Sequence, residues 1–116
     1  GGIIIVTGLN GSGFDIITLG VNSKPVSPPH HLTFLSPKGV ESVVSRVGLE
    51  LVEFFTPGDL DVDIVKNAYQ EDPGLIGDPF TKFLASIADD LLCNDFQDLL
   101  RKHNLSSHMW IVTRSL

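Results

Sequence analysis

The sequence predicts an α/β domain of about three strands and about four helices. Three observations carry this. Ile3-Ile4-Ile5-Val6 is an unbroken apolar run entered through Gly1-Gly2 and left through Thr7-Gly8, and four consecutive β-branched residues suit a central strand covered on both faces. Ser36-Pro37 opens a helix with Val40, Val43, Val44 and Val47 at i, i+3, i+4 and i+7, and Leu49 to Phe55 follows at once as a second strand. His108 to Thr113 closes the chain as a third strand. Strand, loop, helix, strand is a parallel crossover unit, right-handed in nearly every sheet.

After the first strand comes a glycine-rich turn, Gly8 to Gly13, and then Phe14 to Gly20, readable as a short helix or as extended chain. Asn22 to Pro29 has no usable period; Pro25, Pro28 and Pro29 deny it regular hydrogen bonding and stiffen it. Loops this long in small domains are often functional. Ser36 is the N-cap of the valine helix, Pro37 its first residue, and Gly48 ends it in the left-handed region. Thr56-Pro57-Gly58 stops the second strand. Residues 59–104 then form a helical insert of three segments. Asp59 to Tyr69 carries Asp61, Ile64, Val65 and Ala68 along one side; Pro79 to about Asp90 carries Phe80, Phe83, Leu84, Ile87 and Leu91; Asp95 to His103 carries Phe96, Leu99 and Leu100. Asp78-Pro79 supplies a cap, and Asn94 with Gln97 three residues on makes a capping box. Leu105-Ser106-Ser107 breaks the last helix.

Length and composition bound the function. With 116 residues the chain is a single domain, 1–116, or part of one. Its only Met is Met109 and it opens on glycines leading into a core strand, so it reads as an excised piece. Net charge is −6, and the eight Lys and Arg are scattered without a basic stripe, which argues against nucleic acid as a partner. The single Cys93 excludes an internal disulfide and any CxxC motif, which fits the cytoplasm. No apolar run approaches the length of a membrane span, so no membrane partner is expected. A mean hydropathy of +0.21 is high for a small acidic domain, as expected if part of the surface lies against another segment.

Four constellations are candidates for chemistry. Gly8-x-x-Gly11-x-Gly13 follows a strand, as phosphate loops do, but matches neither GxGxxG nor a Walker loop, so a plain turn is the simpler reading. Asp59, Asp61 and Asp63 cannot converge on one ion from a helix, because 61 points nearly opposite 59 and 63; first-turn carboxylates serve the helix dipole. His30-His31 diverge in extended chain and do not share a zinc. One of them can present an imidazole for proton transfer near neutral pH, or can simply bond loop backbone. His103, His108 and Cys93, the last placed between helices, read as structural.

Together these residues resemble a family. Gly1-Gly2-Ile3-Ile4-Ile5-Val6 followed by Asn10 is similar to the fifth strand of class I S-adenosylmethionine-dependent methyltransferases. Pro28-Pro29-His30-His31-Leu32-Thr33-Phe34-Leu35-Ser36, the valine helix and Gly48-Leu49-Glu50-Leu51-Val52 resemble the family's PPxHL-x-F-S, helix and GF-strand. His30 departs from the usual Glu or Gln, and Leu49 from the usual Phe. The resemblance covers residues 1 to 58. It implies a partial Rossmann-like sheet whose last strand is antiparallel and lies between the other two, with one edge exposed.

It further implies the C-terminal half of a methyltransferase acting on a small molecule. S-adenosylmethionine would belong to the missing N-terminal half of the parent protein and would not bind this piece alone, which would be inactive by itself. Loop 21–35 would face the substrate, with Asn10, Phe14, His30 and Phe34 forming the acceptor wall. His31, at the PPxH position, would be the catalytic base. Two other functions stay open: a non-catalytic methyltransferase-like domain that binds proteins, and a nucleotide-binding domain using the Gly8 to Gly13 turn. The exposed sheet edge also raises a possible homodimer.

Overall fold

The computed structural model of the chain describes residues 1–23 and 35–116. In chain order these form β1 (Ile3–Leu9), α1 (Phe14–Leu19), a 3-10 turn at Gly20–Asn22, α2 (Pro37–Arg46), β2 (Leu49–Phe55), α3 (Asp61–Glu71), a 3-10 turn at Pro73–Leu75, α4 (Pro79–Ser86), α5 (Asp90–Lys102) and β3 (His108–Ser115). The sheet order is β1-β3-β2, and β3 runs antiparallel to both neighbours, so β1 and β2 are parallel to each other. This is the expected order.

β1 nevertheless does not behave as a doubly covered central strand. Among the described residues it pairs on one side only, with Ile5 opposite Val112 and Val6 opposite Ile111. Ile3, Ile4, Ile5 and Val6 are 43–55% exposed on both faces. The physical reason is the strand count: β3 fills one flank, and the described residues supply nothing for the other.

On β3, alternation puts Met109 and Ile111 on the face under α2, where they pack with Val40, Val44, Leu49, Leu51 and Phe54. A bulge at Val52 makes this possible: Leu51 opposes Thr113 and Glu53 opposes Val112, so the extra residue lets Leu51 and Phe54 face the same way. The opposite face carries Trp110 stacked on Phe55 at 5.9 Å and an Arg114–Glu50 pair at 3.5 Å. Of the valine stripe, only Val40 and Val44 are buried; Val43 and Val47 lie to the side. α2 therefore covers β2 and β3 and stops short of β1.

Two further apolar clusters hold the helices. Leu19, Val65, Ile76 and Ala85 form one, and Val62, Leu84, Cys93 and Leu100 the other, with Phe14 touching both. The caps at Ser36 and Asp78 form as expected, accepting from the amides of Gly39 and Thr81, and Gly48 has φ 78°.

The insert departs from expectation in three ways. α3 starts at Asp61 and not Asp59. α4 ends at Ser86, and α5 begins at Asp90 with Asp89 as its cap, bonding the Leu92 amide at 2.8 Å. Asn94 is therefore mid-helix and makes no capping box, and Cys93 lies inside α5, not between helices. The expected stripe on the 79–90 segment holds only at Leu84, which is buried with Thr81 and Ala85, while Ile87 and Leu91 are 73% and 70% exposed. Asp89 caps the helix, and its charge in addition favours the helix dipole.

Candidate functional site

The carboxyl end of β1 is the natural place to look, since ligands of open α/β sheets sit beyond their strand ends. There the chain reaches Asn10, which is fully buried. Its Nδ2 donates to the carbonyls of Asn104 at 3.0 Å and Ser106 at 3.1 Å, and its Oδ1 accepts from the Ser12 amide at 3.0 Å. Leu35 forms an isolated parallel bridge with Asn10.

The glycine turn is fully engaged within the protein. The amides of Gly11, Gly13 and Phe14 donate to Leu35, Asn10 and Leu105 carbonyls at 2.9, 2.9 and 2.8 Å, and that of Ser12 to Asn10 Oδ1. A phosphate would find none of these four free, which removes the physical basis of the phosphate-loop reading.

Below the turn lies a buried polar cluster that the sequence reading missed. Asp61, at the start of α3, accepts from Ser106 Oγ at 2.6 Å, the Ser107 amide at 2.9 Å and Gln97 Nε2 at 3.1 Å. Gln97 also accepts from the Val62 amide at 3.0 Å and donates to the Gly58 carbonyl at 3.1 Å. These bonds tie α3 and α5 to the turn that leads into β3. The carboxylate is not serving a helix dipole alone.

Asp15, on α1, completes the cluster. Asp15 and Asp61 are 0% and 1% exposed, yet neither oxygen of Asp15 has a hydrogen-bond partner. Burial pushes the Asp15 carboxyl up from 3.8 to about 6; Ser107 opposes the rise without making a regular hydrogen bond, and the neighbouring Asp61 adds to it.

Of the expected site residues, Asn10 and Phe14 fall in the described part. Asn10 has both ends of its carboxamide committed internally. Phe14 meets Phe96 edge-on at 5.1 Å and lines an apolar cleft of about 200 Å³ with Ile17, Leu99 and Leu105. His30, His31 and Phe34 lie outside the described residues. Among the others, His108 Nε2 accepts from Trp110 Nε1 at 3.2 Å, and buried Cys93 directs its thiol to the Leu84 carbonyl at 3.6 Å. Among the described residues no group of three His, Cys, Asp or Glu is placed to hold a metal, and no helix is long and apolar enough to cross a membrane.

A second concavity, about 310 Å³, opens between α1 and α3. Leu19, Ile64, Ala68 and Leu75 form its apolar lining, with Asn22, Asn67 and Glu71 adding polar groups. Its volume is at the lower end of the range for small-molecule sites. Comparison with protein-family models, with curated proteins and with solved structures finds no match to this chain.

Proposed function

We propose that this chain is the C-terminal part of an S-adenosylmethionine-dependent methyltransferase acting on a small molecule, and that it contributes the wall of the acceptor site. The observation that carries this reading is the strand order, with antiparallel β3 between β1 and β2, joined to the sequence resemblance over residues 1 to 58. The concavities lined by α1 add support, because they lie on the helices that follow the carboxyl end of β1.

The described residues do not fit the cofactor: the glycine-turn amides are occupied, and the buried carboxylates of Asp15 and Asp61 face each other's surroundings and not a ribose. Cofactor binding is assigned to the N-terminal half. In this reading the present chain shapes and dries the acceptor site, and methyl transfer gains mainly from holding the nucleophile in line at short range. His31 takes the acceptor's proton where the acceptor must lose one.

The test uses the longer protein. Calorimetry should show S-adenosylmethionine binding to it and none to the 116-residue chain. His31→Ala should lower methyl transfer from labelled cofactor by about 10²- to 10⁴-fold with cofactor affinity kept. Absence of cofactor binding by the longer protein overturns the proposal; unchanged turnover removes His31 from it.

A second reading, a non-catalytic protein-binding domain, is favoured by exposed Phe80, Phe83, Ile87 and Leu91 on and between α4 and α5. Ile87→Glu would then abolish partner capture, whereas the first reading expects methyl transfer to survive that change.

A further inference from the structure

We propose that Asp15 holds a proton against Asp61 at the junction of helices and sheet, forming a pH-sensitive latch that keeps α1 down while Asp15 is protonated and frees it when Asp15 ionises. This inference stands apart from methyl transfer.

The geometry divides the roles of the two carboxyls. Asp61 receives three donors, from Ser106, Ser107 and Gln97. Asp15 receives none. An ionised carboxylate buried without a donor is among the costliest arrangements in a protein, whereas a protonated Asp15 is neutral and can donate to Asp61. Among the described residues, the groups acting on Asp15 are Asp61 from α3 and the neutral Ser107 from the turn before β3. Arg101 on α5 is paired with Asp98 at the surface, and among the described residues no cation contributes to the environment of Asp15.

α1 is the element that would yield. It has only six residues, and its first amide is anchored to the Leu105 carbonyl. Its Phe14, Ile17 and Leu19 line the two concavities, so its release would reshape both.

The sign follows from linkage. Asp15 has its affinity for protons raised in the closed state, from 3.8 to about 6. The closed state therefore retains a proton that the open state loses, and the latch weakens as pH rises from about 4 through about 6 and stays weak above.

The test is hydrogen exchange of the Phe14–Leu19 amides, corrected for intrinsic rates and referenced to β3, with carboxyl ¹³C titration of the same protein. The opening equilibrium of α1 should rise roughly twentyfold between pH 4.5 and 7.5, and one carboxyl should titrate near 6. Asp15→Asn should keep α1 protected at both pH values. Asp15 titrating near 4, or a pH-independent α1 in the unmodified chain, overturns the proposal. So does an Asp15→Asn variant with the original profile. If that variant does not fold, the titration and exchange of the unmodified chain still decide.

Discussion

A methyl group added at Gly13 would lie 2.5 Å from Ser107 Cα and 2.6 Å from its Cβ, and one at Gly58 would collide with Ser106 Oγ. Two glycines from different loops thus admit the same serine pair, and backbone atoms of that pair cannot retreat. Gly13→Ala should therefore cost about 1–3 kcal/mol by overpacking, read as a lower urea midpoint with unchanged slope. Ser106→Ala removes one of three donors from a buried carboxylate and should cost about 1.5–3 kcal/mol. The same urea series checks it. Part of this cluster was legible in the sequence. Asp61 shares a helical face with Ile64, Val65 and Ala68, and a carboxylate on an apolar stripe signals burial with partners. What could not be read were the partners themselves: Ser106, Ser107 and Gln97 are 36 to 46 residues away from Asp61, and only tertiary packing brings them together. Asp15 left no comparable mark, because the Phe14–Gly20 segment is too short for its faces to be assigned.

At the level of elements, local signals that satisfy their own backbone were read correctly. Ser36-Pro37 and Asp78-Pro79 cap helices as expected because a side-chain acceptor and a proline at the first helical position act within one turn. The α4–α5 junction failed because Asp89 and Asn94, both able to cap, lie five residues apart, and the apolar stripe runs past Asp89 to Leu91. Asp89→Ala should destabilise by about 1 kcal/mol, whereas Asn94→Ala, at an exposed helix-interior site, should be neutral or stabilise by a few tenths of a kcal/mol. Thermal melts of the two variants distinguish the caps directly; equal losses would restore the capping box.

For the molecule as a whole, the order β1-β3-β2 was legible through resemblance, whereas burial of β1 was not. Four β-branched residues state that a strand is built to be covered; they do not state which segment covers it. Among the described residues β1 presents an unpaired edge free of charge and proline, the usual guards against edge pairing. The isolated chain should self-associate through it, as an uncovered apolar edge favours. Ile4→Lys should raise the dissociation constant at least tenfold in sedimentation equilibrium while leaving the circular dichroism spectrum unchanged. Where another segment pairs with β1, the same substitution should instead weaken that pairing.

The bulge in β2 has a consequence for tolerance to insertion and deletion. Leu51 and Glu53 oppose Thr113 and Val112, neighbours on β3, so Val52 has no partner of its own. Deleting Val52 would leave every existing cross-strand pair intact and straighten the ladder. Deleting Leu51 or Phe54 would remove a side chain packed against α2. A strand that carries one spare residue can lose that one, and no other position in β2 offers the same latitude.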